Sequence, residues 1–166
     1  MNQNRTSPAR TASPVTHGTF TVERVFRHSP ARVFHALHDY DTVRRWRVEG
    51  EGWQVSEFKL EFRVGAGEVS RFSYKGGPEI RLDAQYHEIV KDERVVFSYR
   101  MAIGEQALSA SLTTIELFAE GDGTRLVQTE QGAYFGEADS ITPRKVGTIG
   151  LLEKLGEDLD AQGAAS

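Results

Sequence analysis

Residues 83–101, DAQYHEIVKDERVVFSYRM, decide the fold of this chain. With Ile80 and Leu82 just upstream, Ala84 and Tyr86 carry apolar side chains at every second position, and Val95, Phe97, Tyr99 and Met101 repeat the pattern. A period of two places one set of side chains on one face of an extended strand. The two runs therefore read as a central antiparallel hairpin with one apolar face, which needs a cover. Upstream, Phe58, Leu60, Phe62 and Val64 alternate with Glu57, Lys59, Glu61 and Arg63. Gly65-Ala66-Gly67 turns that strand into a return over 69–75, and Gly76-Gly77-Pro78 turns again.

Downstream, Leu108, Ala110 and Leu112 start another strand, but Ile115 and Leu117 fall on the opposite parity. That slip predicts a β-bulge near Thr113. Gly121-Asp122-Gly123 is a hairpin turn, and the stretch from Leu126 to Tyr134 completes the sheet. At the other end, Phe20 and Val22 mark a first strand over 19–27. Ser29 and Pro30 supply an N-cap and a first helical residue for a short helix with Val33, Phe34 and Leu37 on its apolar side. Asp39-Tyr40-Asp41 opens a second helical turn ending near Trp46. The first strand then has no neighbour nearby, so its partner must come from far along the chain.

The final helix is expected over 142–161. Thr142-Pro143 marks its start, Ile149, Leu152, Leu155 and Leu159 form its apolar stripe, and Lys154, Glu157 and Asp158 face outward. Gly147, Gly150 and Gly156 each cost about 1 kcal/mol against alanine inside a helix. Close backbone approach to the sheet or room for a ligand would each account for them. The fold class is α+β: a curved antiparallel sheet of six or seven strands wrapped around a long C-terminal helix, with two short helices after the first strand.

Composition narrows the function classes. A length of 166 residues suits one domain, read as 17–162 between a disordered leader at 1–16 and a frayed tail at 163–166. The leader MNQNRTSPARTASPVT is basic and free of acids, as a presequence would be, but too poor in apolar area to order itself. The absence of cysteine excludes disulfides, thiolate metal sites and cysteine nucleophiles, and fits a cytoplasmic location. A net charge of −4 argues against a general nucleic-acid partner, and no apolar run approaches the roughly 20 residues of a membrane span. No metal, phosphate-loop or nucleophile motif is present. No cofactor or metal is therefore expected, and no catalytic residue is assigned.

The order of elements resembles the helix-grip arrangement of START domains and the birch-pollen-allergen superfamily. Within it, the chain is similar to the branch of the C-terminal domain of the activator of the heat-shock chaperone ATPase. The carrying residues are SPARVFHAL (29–37) with Trp46, then Phe62-Arg63-Val64-Gly65 with Gly67 and Arg71. Tyr86 to Ile89, Val95 to Tyr99, Gly123 to Leu126 and Thr129 to Gly132 continue the likeness, and Gly147, Leu151 and Leu152 close it. It spans about residues 19–161. Glu61 stands where the family often has aspartate, Ala66 where it has a second glycine, and Leu151 where many relatives carry tryptophan. The resemblance implies a fold that hosts lipid carriers, cyclases, hydrolases and chaperone modulators.

The expected function is binding of a small hydrophobic or amphipathic molecule between sheet and helix, as carrier or sensor. The lining residues are read as Phe58, Leu60, Phe72, Tyr74, Tyr86, Phe97, Tyr99, Leu112 and Leu152, with Trp46 and Trp53 at the mouth or in the core. Gln128 and Glu130 share the inward face of Leu126, where a carboxylate needs a cation or donor, with Arg71, Arg100 and Arg144 as candidates. The alternatives are a cyclase- or hydrolase-type enzyme using Glu130, Tyr99 or Tyr86, and a co-chaperone-like module. The last is disfavoured because no separate N-terminal domain of the kind eukaryotic activators carry precedes this one. His35 and His38 on one short helix, and Arg44, Arg45 and Arg47 around Trp46, read as solvated faces. The 69–75 strand, taken as a rim, suggests a homodimer.

Overall fold

The computed structural model describes residues 11–163. Strand β1 (Val15–Phe26) leads into α1 (Pro30–Ala36), α2 (Tyr40–Val43) and a π-helical turn (Arg44–Val48). Six strands follow: β2 (Trp53–Leu60), β3 (Gly67–Tyr74), β4 (Ile80–Val90), β5 (Arg94–Ile103), β6 (Gln106–Glu120) and β7 (Gly123–Phe135). Helix α3 (Ile141–Gly163) comes last. The seven strands make one sheet in the order β1-β7-β6-β5-β4-β3-β2, antiparallel throughout. Hairpins generate β2 to β7 in succession, whereas β1 finds its partner in β7 because the short helices displace it from β2.

Local chemistry explains the helical segment. Ser29 Oγ accepts the Arg32 N–H at 3.3 Å, with Pro30 opening α1. Asp39 accepts the Thr42 N–H at 3.1 Å to start α2. The Glu49 N–H then donates to the Arg44 carbonyl at 3.0 Å, the i+5 bond of a π turn. That wider turn buries both Trp46 and Val48.

Several boundaries differ from the sequence expectation. β1 begins at Val15, since β7 runs on to Phe135 and pairs with it. The expected leader therefore overlaps a strand at Val15 and Thr16. Its residues 1–10, and 164–166 of the expected tail, lie outside the described residues. β2 ends at Leu60, and Phe62 leaves the sheet to pack on Phe34, His38 and Tyr86 at centroid distances of 5.8, 4.6 and 4.9 Å. The bulge lies at Leu108 and not near Thr113: Met101 pairs with Ser109 but Ala102 with Ala107. One extra residue reverses the parity of everything beyond it. Ser109, Ser111 and Thr113 therefore face inward and Leu112 outward. β3 is no rim strand, because β2 and β4 flank it and the edges are β1 and β2.

The core has two parts. Phe20, Val22, Phe34, Trp46, Tyr86, Ile115, Leu126, Leu152, Leu155 and Leu159 belong to the larger one, beneath α1 and α3. A smaller one gathers Val43, Val48 and Phe58 under the π turn, with Val55, Leu60 and Phe72 around them. In α3 the stripe uses Thr148 in place of Ile149, which is 39% exposed. Of the three glycines singled out in the sequence, Gly156 is closely packed, against Arg24 and Phe26, while Gly147 and Gly150 adjoin open space. Gly67 is a real close approach, since an added Cβ would stand 1.8 Å from the Ala84 carbonyl oxygen. Gly67→Ala is expected to cost about 1–3 kcal/mol in urea denaturation, because backbone and not a flexible side chain must yield.

Candidate functional site

The contacts of α3 concentrate on β1 and the π turn, so the helix does not roof the whole sheet. Over β4 and β5 the inner-face residues Leu82, Ala84, Phe97, Tyr99 and Met101 stay half-buried. They line a concave apolar surface beside α3. At its β6–β7 side the surface turns polar. Cross-strand register sets Tyr99 beside Ser111 and Ser111 beside Gly132, and in the next row Phe97 beside Thr113 and Thr113 beside Glu130.

Glu130 is 1% exposed on β7. The Tyr99 hydroxyl donates to its Oε1 at 2.8 Å, and Arg144 Nη1 donates to that same oxygen at 3.2 Å and to Tyr99 Oη at 2.6 Å. Arg144 Nη2 donates to Ser109 Oγ at 2.7 Å and to the Asp139 carboxylate. Its guanidinium carbon lies 5.5 Å from the ring centroids of both Tyr99 and Tyr134. Arg144 reaches this place from the first turn of α3, which seats on β1 because Gly18 has no side chain to meet Ile141. One guanidinium thus serves two carboxylates, leaving one formal negative charge.

Burial, and then the Glu130 charge, pushes the Tyr99 phenol well above its usual range. Tyr134 is raised by the same two causes in the same order. Burial alone would lower Arg144, but Tyr99, Asp139 and Glu130 outweigh it and hold the side chain charged. The phenols are therefore neutral hydroxyls at physiological pH. Three buried oxygens of this patch, Ser111 Oγ, Thr113 Oγ1 and Tyr134 Oη, have no hydrogen-bond partner among the described residues.

A second polar pair stands across the concavity. Arg47 of the π turn donates to Glu68, 1% exposed on β3, whose Oε1 also accepts from Ser70 Oγ at 2.5 Å. Arg47 lies 5.0 Å over the Trp46 ring. Burial pushes the neighbouring Tyr86 phenol up to about 12.

The structure separates the residues read from the sequence as one pocket. Phe97, Tyr99 and Glu130 meet at the concave face, and Gln128 lies one inner-face row along β7, beside Ile115 and Val22. Trp46, Tyr86 and Leu152 are buried core at 6%, 4% and 2% exposure. Phe58 and Phe72 pack under the π turn instead of lining the space below α3, because α2 and that turn cover their end of the sheet, and Leu60 packs against both cores. Trp53 and Tyr74 pair at 4.8 Å on the rim, with Tyr74 43% exposed. Trp46 and Trp53 border an open groove of about 530 Å³ between the π turn and α3, beside Lys154 and Glu157. Leu112, 39% exposed on the outer face, is removed from the pocket by the bulge at Leu108.

Of the candidate cations for Glu130, Arg144 is the partner, whereas Arg71 pairs with Asp83 at 2.8 Å on the outer face and Arg100 is exposed. Arg47 is no solvated residue, since it closes on Glu68. His38 stacks on Phe62, and burial, then His35, lowers its pKa. Ser109, Ser111, Thr113, Tyr134, Asp139 and the Arg47–Glu68 pair were missed. A parity count restarted at Ile115 and run backward would have found the three β6 hydroxyls.

These features define an α+β helix-grip protein with a partly open concave face. The chain belongs to the family described as activator of Hsp90 ATPase homolog 1-like proteins, whose model matches residues 27–156. Among solved structures, Mll3558 of Rhizobium loti is 63% identical over 87% of this chain and 99% of its own, with a TM-score of 0.81. An uncharacterised protein of Rhizobium leguminosarum is 34% identical over 91% of this chain and 99% of its own, at TM-score 0.85. Protein CV1439 of Chromobacterium violaceum, 23% identical over 84% and 94% at TM-score 0.70, shares the fold. No curated protein matches the chain.

Proposed function

We propose that this protein is a carrier or sensor that binds a small hydrophobic or amphipathic molecule on the concave face of its sheet. The observation behind this reading is the half-buried surface of Leu82, Phe97, Tyr99 and Met101 running into a buried polar patch with unpartnered hydroxyls. Apolar walls with a few convergent polar groups are the usual form of a small-molecule site. No described helix is long and apolar enough to cross a membrane. Together with the absence of cysteine, this is in keeping with work in the cytoplasm.

Native mass spectrometry of freshly purified protein, with extraction of any adduct, tests the proposal directly. A ligand supplied at about a hundredfold excess over its Kd should add about 2.7 kcal/mol of stability, read as a rise in Tm. Failure of a lipid and aromatic panel to produce either signal would remove the carrier reading. Attention would then move to the outer sheet face, where Leu112, Phe118 and Val25 are exposed, for a co-chaperone-like or homodimeric contact. An enzyme is the second reading, favoured by one observation: the Tyr99 hydroxyl bridges a buried carboxylate and a guanidinium. Turnover of a panel compound that vanishes in Glu130→Gln, with the fold intact, would establish it.

A further inference from the structure

We infer that the polar end of the ligand is an uncharged hydroxyl or carbonyl, and that carboxylate and phosphate amphiphiles are rejected. This deepens the ligand-binding reading and rests on it. Ser111, Thr113 and Tyr134 are 5%, 0% and 1% exposed, yet their hydroxyl oxygens have no partner among the described residues. Buried polar groups are nearly always bonded. Three unbonded ones on neighbouring inner-face positions call for a group that both donates and accepts. Tyr134 brings its oxygen over Gly132, where an added Cβ would lie 2.7 Å from it, and Gly132 is beside Ser111 in the register. Thr113 adjoins the half-buried Phe97. The hydroxyls therefore stand where the apolar surface ends.

Charge decides the class of head group. Arg144 is already claimed by Glu130 and Asp139, and Arg47 by Glu68. Arg24, whose Nε also lacks a partner among the described residues, pairs in register with Leu126 and packs against Gly156 under the second half of α3. Four residues along β7 separate that level from Glu130, about 13 Å of strand. An anion would add to an uncompensated negative charge in a desolvated place. An ammonium would lose its own hydration in the same desolvated place, where Glu130 Oε1 already accepts from Tyr99 and Arg144, and Asp139 from Arg144 and the Ser140 N–H. A neutral alcohol, phenol or ketone meets them without losing the hydration of a charge.

Calorimetric titration near neutral pH of 2-naphthol, 2-naphthoate, 2-naphthylmethylammonium and naphthalene, with dodecanol and dodecanoate as a chain-shaped pair, tests this. The neutral member of each series should bind about tenfold tighter than its charged counterparts. Thr113→Val should weaken the alcohols by about threefold while leaving naphthalene binding unchanged and Tm no lower, since the free protein loses no hydrogen bond there and sheds a buried unpaired hydroxyl. Ser111→Ala serves as the second variant if the first fails to fold. Charged compounds binding as tightly as neutral ones, or both variants leaving the preference intact, would overturn the inference while the carrier reading stands. Binding of none of them, naphthalene included, would remove the carrier reading and the inference with it.

Discussion

Replacing Arg144 by methionine should lower the unfolding free energy by about 3–5 kcal/mol, the cost of leaving buried carboxylates without their cation. Glu130 is 1% exposed, and the side chains of Arg144 and Asp139 are 10% and 13% exposed, so water cannot take over the role of the guanidinium. The substitution also strips Ser109 Oγ and Tyr99 Oη of donors. Adding Glu130→Gln should restore part of the loss, because the amide no longer brings a charge into the site and still accepts from Tyr99. Arg144→Lys should remain well below wild type, since an ammonium cannot span Glu130, Asp139, Ser109 and Tyr99 with one planar fork. Guanidinium denaturation of the four proteins at neutral pH measures this. A loss under about 1 kcal/mol for Arg144→Met would match an exposed ion pair and contradict the burial seen here.

Leu152→Ala should cost about 2–5 kcal/mol, the range for emptying a packed leucine site. The side chain is 2% exposed and belongs to the main core, on the side of α3 that also carries Thr148, Leu155 and Leu159. Ile149, one turn earlier, is 39% exposed, and its replacement by alanine should stay within about 0.5 kcal/mol. The pair of measurements tests which face of α3 meets the sheet. Equal losses at the two positions would mean that the helix is rotated from the position described.

Much of the fold can be read locally. Ser29 before Pro30, Asp39 before Tyr40, and the glycine turns all act within a few residues, and each marks a boundary that the structure shows. The alternation of Ile80 to Tyr86 and Val95 to Met101 likewise identifies β4 and β5, because a strand's period of two is a property of its own backbone. Phe62 misleads for a non-local reason. It continues the alternation of β2, but Phe34, His38 and Tyr86 form a more enclosing site outside the sheet.

The candidate site was legible only at its ends. Glu130 and Gln128 announce themselves as polar residues in phase with Leu126, and Arg144 could be proposed as a partner. Nothing near Leu108 in the chain says which residue will be left unpaired, since a bulge exists only relative to the partner strand β5. Its position turns Leu112 to solvent and points Ser109, Ser111 and Thr113 into the concavity. The sequence by itself therefore determined the antiparallel strands, the helix caps, the leucine stripe and the family likeness, all set by short-range periodicity and backbone preference. Tertiary structure decided the parity of β6, the second core under the π turn, and the meeting of Tyr99, Glu130, Asp139 and Arg144, because register and helix docking are fixed by contacts between segments far apart in the chain.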